Sequence, residues 1–348
     1  MIKISKDFVG GNISVLGREG SVITLEREAR DSDDWFYWAF EAEADADETV
    51  TFKFGKFRLG YYGPAVSHDR RNWRWLGTGL PNEFTYNFKA GERVWFCHHM
   101  LYDVTRFDEL AAKYGAKIDT LCTSRHGRSV PCITVGDGDK DVILTARHHA
   151  CESTGNYVLE GLLDALLASP IEGYRFFCVP FVDYDGVIEG DQGKFRYPYD
   201  HARDYGGEPI YPEVAAIRKY AESHNVKFGF DFHSPWHCYA QNDKVFIPQK
   251  SIVKLPSLVR FGKILEKNVS EGSLKYYEAD DFPPNKEWNK VESTNFAWYM
   301  LGRPENDIAF TLETTYFGVP ENVFSDAGAV SLGHDFYKAF NEYIKKTD

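Results

Sequence analysis

No stretch of this chain approaches the roughly 20 consecutive apolar residues of a membrane span. The first twenty residues, MIKISKDFVGGNISVLGREG, interrupt every apolar run with glycine or charge before the core of a secretory leader, about 7 to 15 residues, could form. No membrane partner is expected, and the chain as read is expected to be cytoplasmic. Cations are also short: 40 Lys+Arg stand against 52 Asp+Glu, a formal charge of −12 at pH 7. That balance argues against nucleic acid, because phosphate binding needs clustered cations to release counterions. Cysteine is sparse, six residues in 348 with no C-x-x-C pair, so neither a disulfide framework nor a thiolate metal site is indicated. These thiols read as reduced and mostly buried.

Aromatic residues are plentiful at 16%, and the length exceeds what one hydrophobic core usually serves. Two periodicities divide the chain. From Ser5 to about Asp103, SVITLERE, DWFYWAFEAEA, TVTFKFGKFRL, FTYNFK and RVWFCHHML alternate with period two between Gly, Asp, Asn and Pro turns. Residues 1–104 are therefore expected to form an antiparallel β-sandwich domain, with Trp35, Trp73 and Trp75 in its core. TRFDELAAKYG reads as a helix, and from Ile118 apolar strands (DVILTA, YRFFCVPFV, VKFGFDFHS, DIAFTLETTYFG) alternate with helical segments such as STGNYVLEGLLDALLAS and PEVAAIRKYAESHN. Residues 105–348 are expected to be an α/β domain, a mixed, mostly parallel sheet with helices on both faces.

In such sheets the functional groups collect beyond the carboxyl ends of the strands. After DVILTA come Arg147, His148, His149, Ala150, Cys151 and Glu152; after KFGFDF comes His233; inside the last strand, AFTLETTYFG, sits Glu313. An imidazole and a carboxylate three residues apart at a strand-to-helix turn can face one point. A distant third imidazole would complete the two-histidine, one-glutamate set of a catalytic zinc that keeps one position for water. His148 could also ligate, but only His149 has a glutamate at +3. His237 follows His233 at a spacing that would suit a helix, which Pro235 opposes, so His237 reads as a pocket or structural residue.

RHHACESTGNYVLEGLLDAL resembles the first zinc motif of the metallocarboxypeptidases, in particular their cytosolic branch, with His149 and Glu152 at the ligand positions. FDFHSPW resembles the segment of the third ligand, His233, and TLETTYFG the strand of the catalytic glutamate, Glu313. VPFVDYDGVIEGDQGKFR and YDHARDY are similar to the family's N-P-D-G-V and D-x-N-R stretches, and DWFYWAFEA and ETVTFKFGKFRLGYYGP to the β-domain preceding the catalytic domain in the cytosolic branch. The resemblance implies one zinc per chain. It implies that Asp200 orients the first histidine ligand, that Arg203 binds the substrate's terminal carboxylate, and that Arg196 polarises the scissile carbonyl, jobs that suit a permanently charged planar guanidinium. One departure stands out: Ala202 occupies the place of the family's asparagine beside Arg203. Tyr299 and Tyr316 both lie near Glu313 in sequence, and the pattern does not choose between them for the mobile tyrosine of digestive relatives.

The expected activity is zinc-dependent hydrolysis of a C-terminal peptide or isopeptide-like amide bond, with Glu313 as general base and a peptide or small amide bearing a free carboxylate as substrate. Two other readings use the same residues. One is an aspartoacylase-like deacylase of N-acyl amino acids; the other is a zinc-containing binder of acidic termini without turnover.

Overall fold

The computed structural model describes residues 1–30, 36–56, 58–77 and 81–346; Trp35 lies outside them. Among the described residues nine strands come first: β1 (Ile2–Ser5), β2 (Ser14–Glu19), β3 (Val22–Glu26), β4 (Ala39–Ala44), β5 (Glu48–Phe54), β6 (Ala65–Ser67), β7 (Arg74–Trp75), β8 (Glu83–Phe88) and β9 (Arg93–Cys97). They form a five-stranded sheet, β1-β4-β9-β6-β7, and a four-stranded sheet, β2-β3-β5-β8. Pairing is antiparallel except between β3 and β5, which run parallel. Alternate residues of the two sheets, among them Leu25, Phe40, Phe52, Phe84 and Phe96, make a shared aromatic core with Trp38, just before β4. Trp73 is buried, and half-buried Trp75 donates its indole N–H to the Phe324 carbonyl. The opposite face of the five-stranded sheet, through Ala39, Ala65 and Cys97, packs into the core of the following α/β part.

That part contains α1 (Thr105–Lys113), β10 (Ile118–Thr123), β11 (Ser129–Val135), β12 (Lys140–Ala146), α2 (Thr154–Ala168), β13 (Tyr174–Val179), α3 (Tyr184–Glu189), α4 (Pro212–Ser223), β14 (Val226–His233), α5 (Leu255–Asn268), α6 (Phe296–Leu301), β15 (Ile308–Glu313) and α7 (Asp326–Ile344). Six strands form a mixed sheet in the order β10-β11-β13-β12-β14-β15, antiparallel at the β10 edge and parallel from β13 to β15. Residue parity decides which helices each face meets. Val142, Leu144, Phe228, Phe230 and Phe232 join Leu162 and Leu166 of α2, Phe261 of α5 and Phe336 of α7. Ile143, Phe177 and Ala309 join Val214 and Ile217 of α4 and Phe296 of α6. Helices thus cover both faces, as the alternating pattern implies. Each fully buried side chain of this size contributes about 1.5–3 kcal/mol relative to exposure.

The chain leaves β12 on one side to reach β13 and returns to its other side as β14. Clefts form at such a switch point, beyond the carboxyl ends of the strands. No helix among the described residues is long and apolar enough to cross a membrane. All six cysteines are free, five of them buried.

Candidate metal centre

The turn after β12 is made by Arg147, whose backbone is left-handed (φ 61°) and whose buried guanidinium donates to the Ala150 carbonyl at 2.6 Å and to Asn156 Oδ1 at 3.2 Å. This tight return sends His149 and Glu152 to the same side. The segment after β9 braces the turn: His99 Nε2 lies 2.9 Å from the Cys151 carbonyl, and Ser153 Oγ donates to the Met100 carbonyl. Gly155, in the first turn of α2, lets the helix press on the end of β14, since a Cβ there would sit 2.8 Å from the Phe232 carbonyl group. β14 and β15 pair so that His233 stands opposite Glu313.

His149, Glu152 and His233 converge. Nδ1 of His149 lies 2.8 Å from Glu152 Oε1, and Nδ1 of His233 lies 2.7 Å from Glu152 Oε2. The three ligand atoms all fall within 4.8 Å of one another. Each imidazole turns its other nitrogen to a carboxylate: His233 Nε2 is 2.7 Å from Asp231 Oδ2, and His149 Nε2 is 3.5 Å from Asp200 Oδ2. Imidazoles that ligate metal usually carry such a partner, which fixes the tautomer that leaves the opposite nitrogen free; the contact of His233 is within hydrogen-bond range, whereas His149 Nε2 is buried without a hydrogen bond. The donor set and its supports therefore fit zinc.

His148, Asp231 and His233 form a second convergent group. Both ring nitrogens of His148 are already engaged, Nδ1 with Asp231 at 2.9 Å and Nε2 with the Tyr205 hydroxyl at 2.8 Å. His148 thus stands behind the centre. His237 is not part of either group and is stacked on Phe36 at 4.8 Å beside His98.

Burial alone would raise the Glu152 carboxyl, but His149, Lys194 and His233 outweigh it and hold the group well below the usual carboxylate range. For Asp231 likewise, burial is outweighed by His148 and His233. Glu313 goes the other way: burial raises it, and the Glu152 charge adds to this against the pull of His233 and Lys194. Its Oε2 is buried without a hydrogen-bond partner at the wall of a cavity of about 700 Å³ that also exposes His149 and His233. A carboxylate with raised proton affinity at a cavity wall is suited to general-base work.

Arg203 lines the same cavity from the 3-10 turn His201–Arg203 and is exposed; Ala202, also on the wall, is buried. Arg196 is not among the residues lining this cavity. Its Nη2 is held by Asp183 at 2.8 Å and Asp191 at 2.9 Å, and it faces a separate cavity of about 310 Å³. The guanidinium expected to polarise the scissile carbonyl is thus held by two carboxylates. Lys194, two residues earlier, enters the cavity instead, its Nζ 2.5 Å from Glu152 Oε1. Neither Tyr299, whose hydroxyl meets Glu222, nor buried Tyr316 lines the cavity.

Three residues important to the geometry escape sequence reasoning. Asp231 had a readable signal, because FGFDFH alternates phenylalanine with Gly229, Asp231 and His233 and so puts the last two on one face. Lys194 and Lys250 sit in irregular segments that give no such signal.

Comparison with solved structures places this architecture. Over the whole of both chains it superposes on a metallo-carboxypeptidase from Burkholderia cenocepacia with a TM-score of 0.82 at 16% identity. The chain has the metallo-carboxypeptidase fold. A metallo-carboxypeptidase from Pseudomonas aeruginosa, solved in complex with (2-guanidinoethylmercapto)succinic acid, matches 99% of this chain and 100% of its own with a TM-score of 0.77 at 18% identity. In sequence, the chain is 28% identical over 270 residues to cytosolic carboxypeptidase 2 of Xenopus tropicalis, a match covering 69% of this chain and 27% of that protein. It is 27% identical over 256 residues to an uncharacterized protein of Zymomonas mobilis, covering 67% of each. No family model matches the chain. The resemblance to metallocarboxypeptidases carried by the sequence motifs, closest to the cytosolic branch, agrees with these relatives.

Proposed function

We propose that the chain is a zinc-dependent carboxypeptidase that hydrolyses the C-terminal amide bond of a peptide or isopeptide-like substrate. The observation that carries this reading is the convergence of His149, Glu152 and His233 within 4.8 Å, at one end of a cavity whose wall holds the unpartnered carboxylate of Glu313. Zinc, when bound by these three residues, would supply Lewis acidity and lower the pKa of water toward 7. Glu313 accepts the proton that the attacking water loses as its oxygen bonds to the carbonyl carbon. It returns that proton to the nitrogen as the C–N bond breaks, so the chain ends the cycle unchanged. Asp200 and Asp231 keep the two imidazoles oriented.

Arg203 is the group that would hold the terminal carboxylate, and a second cation helps it. Lys250 lies on the same wall, 8% exposed, its Nζ donating to the Lys290 carbonyl at 3.0 Å and feeling the charge of Arg203. Cations gathered here, in a chain of net charge −12, favour a substrate end rich in carboxylates. The ligand of the Pseudomonas structure is a substituted succinic acid, a diacid of that kind. Phe195, Trp236 and Trp288 expose rings at the cavity, flat apolar surface for a peptide backbone. The activity is expected in the cytoplasm.

The test is elemental analysis and turnover together. The wild-type chain should hold one zinc and release the C-terminal residue of an acidic peptide. His149→Ala and His233→Ala should lose most of the metal while remaining folded, because a large hydrophobic core rather than the metal holds the fold. Full zinc in His149→Ala would shift the ligand role to His148. Release of amino acid from N-acyl amino acids, with peptides untouched, would favour the deacylase reading.

A further inference from the structure

The cation at the reacting end of the cavity is a lysine paired with a member of the metal-ligand set. Lys194 Nζ lies 2.5 Å from Glu152 Oε1, the oxygen that also meets His149, and its side chain is 14% exposed. Its other strong electrostatic neighbour is Glu313. Arg203 and Lys250, by contrast, act on each other. The backbone fixes this placement. Gly193 is left-handed (φ 80°), and a Cβ on it would sit 2.2 Å from the Ala150 nitrogen, so this point of the loop is pressed onto the His149–Glu152 turn and admits no side chain. Cys151 N–H donates to the Gln192 carbonyl at 3.2 Å, stitching the two segments together. The lysine stem therefore starts beside the ligands whatever its end does, and four rotatable bonds let its ammonium move by several ångströms.

Glu152 cannot serve a divalent ion and this ammonium equally. A metal ion on the carboxylate repels the ammonium and takes its partner, while the open side of Lys194 is the cavity that receives the substrate. We propose that Lys194 is a two-position cation: it neutralises Glu152 while no metal is held, and in the loaded site it turns to the substrate and faces the oxygen of the bond being cut. This deepens the carboxypeptidase reading and rests on it. Two consequences have opposite signs. As a competitor for Glu152, Lys194 weakens metal binding. As a fixed charge near a developing oxyanion, it speeds turnover, a role the side chain of Arg196 cannot fill from its pairing with Asp183 and Asp191.

The experiment measures zinc affinity, by competition with a chromogenic chelator, together with kcat and KM on an acidic peptide, in wild type, Lys194→Met and Lys194→Arg. Lys194→Met should bind zinc about tenfold more tightly or better, since one unit charge a few ångströms from the ion is removed. Its kcat should fall about 10²- to 10³-fold with KM changed little, the usual loss for one oxyanion contact. Lys194→Arg should recover part of kcat. Should Lys194→Met lose its cooperative melt, Lys194→Gln repeats the comparison with a chain of similar length and no charge. Zinc affinity unchanged or weakened in the neutral variant overturns the competition, and an unchanged kcat overturns the substrate contact. A wild-type chain that takes up no zinc overturns the carboxypeptidase reading itself, a result visible before any variant is compared.

Discussion

Replacing Asp231 with asparagine isolates the support of one metal ligand from the ligand itself. Asp231 is 2% exposed, and its two oxygens divide the work. Oδ1 accepts from Thr145 Oγ1 at 2.8 Å and meets His148 Nδ1 at 2.9 Å, while Oδ2 lies 2.7 Å from His233 Nε2. An amide can reproduce only one side. If its oxygen stays with Thr145 and His148, its NH₂ faces His233, which must then accept at Nε2 and carry its proton on Nδ1, the nitrogen that points at Glu152. The metal-binding lone pair is lost. If the amide turns over, His233 keeps an acceptor but loses the carboxylate charge, and His148 must accept at Nδ1 and donate to Tyr205. Changes of this kind in the partner of a ligating histidine typically cost about 10- to 100-fold in metal affinity, or about 1.4 to 2.7 kcal/mol, and the two orientations correspond to the two ends of that range. Chelator competition on Asp231→Asn reads the number directly, with near-ultraviolet circular dichroism as the check that the core is intact. Zinc affinity within twofold of wild type would refute the argument that Asp231 sets the His233 tautomer.

Glu313→Gln should keep zinc and lose about 10²- to 10⁴-fold in kcat, because the shape remains while the base is gone; near-normal turnover would remove Glu313 from the mechanism. Amidating the substrate C-terminus should lower kcat/KM about 5- to 30-fold, less than for a buried pair because Arg203 is exposed, and Arg203→Ala should abolish the difference between acid and amide. Lys250, brought down to about 8 by burial and the Arg203 charge, is protonated below that pH. KM for an acidic peptide should therefore rise as pH passes through 8, and Lys250→Met should flatten that rise. Burial pushes Asp281 up to about 8, so the fold favours its protonated form. The associated stability is complete below about pH 4 and is lost as pH rises through 8. Asp281→Asn should show a smaller fall in Tm between pH 5 and 8.5 than wild type, and an equal fall would contradict the assignment.

The elements with strong periodicity are those the sequence makes readable. KFGFDFH carries the alternation, and DVILTA and AFTLE the apolar runs, that become β14, β12 and β15; His233 and Glu313, the last residues of β14 and β15, line the cavity because parallel strands end together. The leucines of NYVLEGLLDALLA mark α2 in the same way. Helix α7 is hard to read because its first half, DAGAVSLG, is small and nearly featureless: those residues are chosen for close approach to α2, where Gly333 would carry a Cβ into the Val158 carbonyl. The loop between Asp191 and Asp200 is opaque for a different reason. Two cations stand two residues apart there, and spacing alone cannot say which turns inward. Asp183 and Asp191 draw Arg196 outward, and Gly193, packed against Ala150, delivers Lys194 to the centre. Loop chemistry depends on partners far away in sequence, and those become visible only in the folded chain.

The central claim is that a metal held by His149, Glu152 and His233 and a base on Glu313 remove one residue from a free C-terminus. Mass spectrometry of a single acidic peptide tests it, incubated with the metal-stripped chain, the zinc-restored chain and zinc-restored Glu313→Gln. The account predicts a product shortened by one C-terminal residue with the zinc-restored chain alone. Equal shortening by the stripped chain or by Glu313→Gln, or cleavage at internal bonds, would contradict it.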